Sequence, residues 1–136
     1  MDDDPTSDEE IRKILSLNKV AVVGMSKNPS KAAHYVPRYL SEQGYDIIPV
    51  NPNSNEILGK KSFNVISEIP KNVDVVNIFR PSDQVLPVIK EAIKIKPKVI
   101  WLQEGIHNSE AEELAKKDGI KVIFNRCMLA EHQRLS

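Results

Sequence analysis

Five short segments carry the residue types that could bind or react: Gly24-Met25-Ser26-Lys27, Asn51-Pro52, Arg80-Pro81, Gln103-Glu104-Gly105 and Asn125-Arg126-Cys127. The first holds a glycine and a hydroxyl and leads toward a helical pattern, and the backbone donors at a helix start favour phosphate. Lys27, Lys31, Lys60, Lys61 and Arg80 could surround an anion with several phosphates, although a lysine taken singly is usually a solvated surface charge. The first segment has the single glycine Gly24, so it is not G-x-G-x-x-G, and no Gly-Lys-Ser/Thr ending makes it a Walker A loop. Asn51 stands where an NAD site usually places an acidic residue for the ribose, which counts against a nicotinamide dinucleotide. Cys127 is the sole cysteine and opens a helical pattern; it is a candidate nucleophile, or else a small hydrophobe in the core. His34, His107 and His132 show no triad or metal-ligand spacing. Glu104 and His107 could exchange a proton, but a turn residue followed by a helix-start residue is the better reading of them.

Each segment follows an apolar run, and the runs need a frame. Apolar stretches at 20–23, 47–50, 73–79, 99–102 and 120–124 predict strands, and the unbroken run at 20–23 suits a parallel strand buried on both faces. Between them, apolar residues at helical spacing predict helices over 31–43, 86–94, 109–117 and 128–135. Ser7 with Glu10 has capping-box form before a further short helix. Pro37 predicts a kink or a late start in the 31–43 helix. Pro49 places the second strand at or near a sheet edge. Residues 51–62 predict a polar loop, and 66–69 one helical turn at most. Strand and helix in this alternation predict an α/β, Rossmann-like, doubly wound, mainly parallel five-stranded sheet with helices on both faces. The five segments then share the carboxyl edge of the sheet, where open α/β folds bind ligands. Gly, Pro and Asn are also what such turns require for their own geometry. For Trp101, on a central strand, packing is the better expectation.

Composition narrows the partners. The chain has 136 residues, enough for one domain, and a formal net charge of zero, so no long-range field draws in nucleic acid or an anionic membrane. The acidic start predicts disorder over 1–6, with the folded domain spanning 7–136. The apolar runs are far too short to cross a bilayer. The basic n-region of a signal peptide is missing, and one cysteine excludes an internal disulfide. A cytoplasmic location is expected, and a homo-oligomer is compatible with it.

The stretches Val22-Val23-Gly24-Met25-Ser26, Gly44-Tyr45-Asp46-Ile47-Ile48-Pro49-Val50-Asn51-Pro52, Ile57-Leu58-Gly59-Lys60, Val99-Ile100-Trp101-Leu102-Gln103 and Asn125-Arg126-Cys127-Met128 resemble the single-domain CoA-binding protein family. That family's fold is related to the CoA-binding domain of the succinyl-CoA synthetase α subunit. The likeness runs from about Ile11 to His132. Met25 departs from the family's usual alanine and would lengthen a side chain near the phosphates. The resemblance implies that coenzyme A or an acyl-CoA is the ligand. It implies that Gly24, Met25 and Ser26 cradle the diphosphate, with charge from Lys27 or Lys31. Val50, Asn51 and Pro52 would lie against the adenosine, and Lys60 would reach the ribose phosphate. Phe79, Arg80 and Pro81 would lie along the nucleotide and pantetheine, and Gln103, Glu104 and Gly105 near the pantetheine arm. Asn125, Arg126 and Cys127 complete the expected site. The synthetase's phosphorylated histidine belongs to a later domain, so a binding module is favoured over an enzyme. Two alternatives stay open: a nucleotide- or NAD-dependent enzyme on the same fold, and an interaction or regulatory domain without a ligand.

Overall fold

The computed structural model describes residues 2–70 and 72–136. Five parallel strands form the central sheet: β1 (Lys19–Val23), β2 (Asp46–Val50), β5 (Val75–Ile78), β6 (Val99–Leu102) and β7 (Lys121–Ile123), in the order β2-β1-β5-β6-β7. Two-residue strands β3 (Glu56–Ile57) and β4 (Lys60–Lys61) pair as an antiparallel hairpin inside the segment predicted as polar loop. Helices α1 (Asp8–Leu15), α2 (Ala32–Glu42) and α5 (Met128–Leu135) cover one face, and α3 (Val85–Lys94) and α4 (Ser109–Lys117) the other. Alternate strand residues feed two cores. Ala21, Val76, Ile78, Ile100 and Leu102 face α3 and α4, whereas Val20, Val22, Val75, Val99 and Trp101 face α1, α2 and α5. This two-sided burial is why the strand sequences read as continuous apolar runs. Trp101 is fully buried, as expected of core, and its indole N–H donates to the Arg126 carbonyl at 2.8 Å.

Local chemistry sets the element ends. The Ser7 hydroxyl accepts from the Glu10 amide and starts α1, and the Asn108 side chain accepts from Ala111 and starts α4. β2 is an edge strand, as Pro49 predicts, and its free side is partly closed by the Phe63 backbone, whose N–H donates to Pro49 and whose carbonyl accepts from Asn51.

Two expectations need correction. Residues 2–6 run as an extended arm against the carboxyl end of β7 rather than being left free. Asp4 is buried and accepts from the Phe124 amide at 3.0 Å, and Arg126 donates to the carbonyls of Asp4 and Thr6 at 2.7 and 3.0 Å. Composition counts these acids as solvated and carries no information about partners 120 residues away; Met1 lies outside the described residues. Nor does Pro37 delay the start of α2, which begins at Ala32. It sits well inside the helix and is buried. A proline here leaves the carbonyl four residues earlier, that of Ala33, without its helical donor. The Ser26 amide takes that carbonyl instead, at 3.1 Å.

At the amino edge, Asp74 joins three strands. Its carboxylate accepts from the Asn18 and Lys19 amides at 3.2 and 3.0 Å, and Lys98 lies 3.5 Å away. Burial pushes its pKa up, but the two amides and the lysine outweigh that and hold it below the ordinary 3.8. A depressed folded pKa gives stability that is present above the unfolded value and lost as pH falls through the folded one. Asp74→Asn should therefore cost about 1–2 kcal/mol at neutral pH. In urea unfolding, the gap from wild type should close as pH drops below 3.8.

Candidate ligand site at the carboxyl edge

The strand order places a topological switch point between β1 and β5: the chain leaves β1 toward β2 over one face and leaves β5 toward β6 over the other. Open α/β sheets form their ligand crevices at such points, outside the carboxyl ends of the strands. Here Gly24 and Phe79 meet. Gly24 has φ +81°, and a Cβ on it would lie 2.6 Å from the Phe79 carbonyl oxygen. Glycine is thus required by the approach of the β5 strand end, independently of any ligand.

The turn after β1 is held from several sides. Gly24 N–H donates to Val50, and Ser26 N–H donates to Ala33. The Ser26 carbonyl accepts from the His34 ring at 2.7 Å, which requires the proton on Nδ1, and the Ser26 hydroxyl accepts from the Asn28 amide. Asn51 donates through Nδ2 to the Met25 carbonyl at 2.8 Å. Its Oδ1 accepts from the Asn53 amide. On the far side, Asn125 Oδ1 accepts from the Gly105 amide at 2.7 Å, tying the turn after β7 to the turn after β6.

Two depressions flank this turn. A cleft of about 330 Å³ runs between the start of α2 (Ala32, Ala33, Tyr35) and the turn after β5 (Phe79, Arg80, Pro81). Its remaining wall is Gln103, Glu104, Ile106 and Cys127. An apolar groove of about 240 Å³ lies at the ends of β1 and β2 on the other face. Val23, Val50, Val65, Ile66 and Val88 line it, with Asn64 and Glu91 as its polar groups. Tyr35 and Val65 are 41% and 44% exposed, the exposed large hydrophobic side chains among the described residues, and each borders one of these depressions.

Seven of the predicted residues meet at the cleft: Phe79, Arg80, Pro81, Gln103, Glu104 and Cys127 line it, and Gly24 backs onto Phe79. Lys27 and Lys31 are exposed on the turn that leads into α2, and Pro52 is exposed beyond β2. Val50 ends β2 and contributes to the groove. Others are placed differently from expectation. Met25 is fully buried, with its side chain in the core against α1, α2 and α5, so its length does not bear on a phosphate. The side chains of Asn51 and Asn125 bind turn backbone. Lys60 stands on β4 beside the outer side of β2, away from both depressions. Arg126 turns from the cleft to the arm and Glu131, with Nε 3.4 Å from Asp4 but out of line for a hydrogen bond. His107 pairs with Glu112 at 2.6 Å, not with Glu104, and stacks on Phe124. The groove residues Asn64, Val65, Ile66, Pro87, Val88 and Glu91 escaped the sequence analysis. They lie in a crossover loop and on a helix face, where apolar residues read as ordinary packing.

An open, doubly wound parallel sheet with helices on both faces defines a Rossmann-like domain. Residues 18–133 match the CoA binding domain family, and the chain belongs to that family. It is 39% identical to the uncharacterised protein YneT of Bacillus subtilis, over 93% of this chain and 94% of that one. It is 34% identical to an ADP-forming acetate-CoA ligase II of Archaeoglobus fulgidus over 83% of this chain, but only 19% of the ligase. A hypothetical protein from Pyrococcus horikoshii superimposes with a TM-score of 0.93 at 40% identity, covering 96% of this chain and 93% of that one.

The glycine argument is checked by comparing two positions. Gly44→Ala places a side chain at φ +98° in open space and should cost about 1 kcal/mol. Gly24→Ala adds the contact with the Phe79 carbonyl and should cost at least about 2 kcal/mol. Equal losses in urea unfolding would show that β5 yields to the new methyl group.

Proposed function

We propose that this chain is a binding module for coenzyme A or an acyl-CoA, which lies across the carboxyl edge of the sheet. The observation that carries this is the pair of depressions on either side of one turn at the switch point, with backbone donors between them. Among the described residues, the amides of Lys27, Ala32 and Ala33 have no hydrogen-bond partner. They cluster where the turn enters α2, the place where helix amides favour an anion. Lys27 and Lys31 on the turn and Arg80 opposite it supply cationic charge nearby. The turn would hold the diphosphate by these backbone groups.

The rest follows from the chemistry of the two depressions. A purine suits the groove, whose walls are Val23, Val50, Val65, Ile66 and Val88, with Asn64 and Glu91 available to its polar edge. The pantetheine arm suits the cleft, which passes Phe79 and leads to Cys127. The ligand's own chemistry is a thiol or thioester at the arm's end, and the residues here bind and orient it. An NAD-dependent enzyme fits less well: Asn51 holds the Met25 carbonyl and offers no carboxylate to a ribose.

Thermal shift tests the ligand. Coenzyme A at about 100 times its Kd should add about 2.7 kcal/mol of stability, a rise of several degrees, and exceed NAD and ATP at equal concentration. Equal shifts for all three would refute the assignment. Cys127 tests the direction of the arm. Coenzyme A should slow its alkylation by iodoacetamide at least about tenfold, whereas adenosine 3′,5′-bisphosphate, which lacks the arm, should not. An unprotected thiol in the saturated protein would place the arm elsewhere.

A further inference from the structure

We infer that His107, Ser109 and Glu112 form a nucleophilic triad at the start of α4, a site for cleaving small activated acyl esters and thioesters. It stands apart from the coenzyme A proposal, because none of the three residues lines the cleft or the groove. The spacing His107-x-Ser109-x-x-Glu112 is too compact to read as a triad in sequence; the turn into α4 brings the three side chains together. Glu112 Oε2 lies 2.6 Å from His107 Nδ1, and Ser109 Oγ lies 3.5 Å from His107 Nε2. Oε2 also accepts from the Asn108 amide at 2.7 Å. With this acceptor against Nδ1, the ring proton belongs on Nδ1, and Nε2 presents its lone pair to the Ser109 hydroxyl. A nucleophile, a base and a group that orients the base are the parts of an activated serine. The Ser109–His107 contact is long, as such bonds often are before a substrate tightens them.

The base is held on several sides. Its ring stacks on Phe124 with centroids 3.9 Å apart, and its amide donates to Ser82 Oγ. Asn108 Nδ2 donates to the Ser82 carbonyl, and Asn108 Oδ1 accepts from the Ala111 amide, which fixes the turn itself. Glu112 is 2% exposed. Capping α4 would need only its bond to the Asn108 amide; the histidine is an addition to that role. Asp2 Oδ2 lies 3.9 Å from Nε2, so a carboxylate stands near each ring nitrogen when the ring holds the serine's proton. The Ser109 and Glu110 amides have no hydrogen-bond partner among the described residues. As first-turn donors of a helix, they are available to the negative oxygen of a tetrahedral intermediate. The steps balance without a redox partner. Ser109 Oγ attacks the acyl carbonyl carbon as its proton passes to Nε2. The C–O or C–S bond to the leaving group breaks, and the leaving atom takes that proton. Water then attacks the acyl-serine and gives a proton to Nε2, which returns it to Oγ as the carboxylic acid departs. Ser109 is exposed, so short acyl groups delivered from solvent suit it better than long chains.

The test is labelling by diisopropyl fluorophosphate, followed by intact mass and peptide mapping, together with hydrolysis of p-nitrophenyl acetate and S-phenyl thioacetate. It compares wild type with Ser109→Ala, His107→Gln and Glu112→Gln. Wild type should gain a single diisopropylphosphoryl group, on Ser109, and turn over both substrates. Ser109→Ala should gain none and lose the turnover. His107→Gln should slow labelling of Ser109 at least about a hundredfold. Glu112→Gln keeps an oxygen for Asn108 and for the ring but not its charge. It should lower kcat at least about tenfold with KM within about twofold, a split that a helix cap alone would not produce. Ser109→Ala alters an exposed side chain, so it keeps the test open if Glu112→Gln fails to fold. No label on Ser109, hydrolysis that survives Ser109→Ala, or labelling indifferent to His107→Gln would overturn the inference and leave Glu112 a capping residue. None of these outcomes bears on whether coenzyme A binds.

Discussion

The approach of Gly24 to the Phe79 carbonyl is the constraint on which the site depends. β1 and β5 are neighbours, and their chains leave toward opposite faces. Their ends can remain this close only if residue 24 has no side chain, because the atom a Cβ there would meet is the backbone carbonyl oxygen of Phe79. With Gly24 in a left-handed conformation, the chain turns away at once toward α2, while Arg80 and Pro81 continue toward α3. The separation between those two exits is the crevice. Packing alone makes the demand on this position, and a glycine that resembles a phosphate-loop residue is first a sheet residue.

The polar residues of the turns serve mostly one another. Asn51 holds the turn after β1, Asn125 holds the turn after β6, Ser26 is held at its amide, carbonyl and hydroxyl, and Arg126 fastens the arm to the end of β7. What they leave for a ligand is mainly backbone amide, apolar wall and a few cations at the rim. Such a surface would suit the proposed ligand, a molecule that is itself mostly phosphate, flat ring and thin chain. It is poorly equipped for a compact polar substrate, which would call for many converging side chains.

The sheet was legible because burial on both faces leaves a mainly apolar signature, and the alternation of such runs with helical spacing admits few topologies. Pro49 marked the edge strand for the same elementary reason, a missing donor. The carboxyl-edge segments were legible as a set, since every parallel strand delivers its following turn to one side. Which way each side chain points was not. Met25 turns inward because the turn at Gly24 breaks the alternation of β1 and puts this side chain in the same core as Val20 and Val22, and Arg126 turns outward because an acidic arm far away in sequence reaches it. The apolar groove was invisible for a related reason: Val65, Ile66 and Val88 are brought together by the crossover over β1, and residues that line a groove look no different in sequence from residues that fill a core. The Pro37 signal was seen but read locally. Its helix does not break, because the carbonyl it orphans finds a donor in a different segment.

That last substitution of donors ties the turn's fate to the helix. In most helices a first-turn carbonyl is satisfied within the helix, and the preceding loop can open without disturbing it. Here the Ala33 carbonyl is bonded to Ser26, and the Ser26 carbonyl to the His34 ring. The turn after β1 and the first two turns of α2 therefore form one cooperative opening unit rather than a mobile loop beside a stable rod. Local fluctuations that release the turn must also break the amino end of α2. For the proposed diphosphate these amides would already be in place, with little conformational entropy left for the ligand to remove.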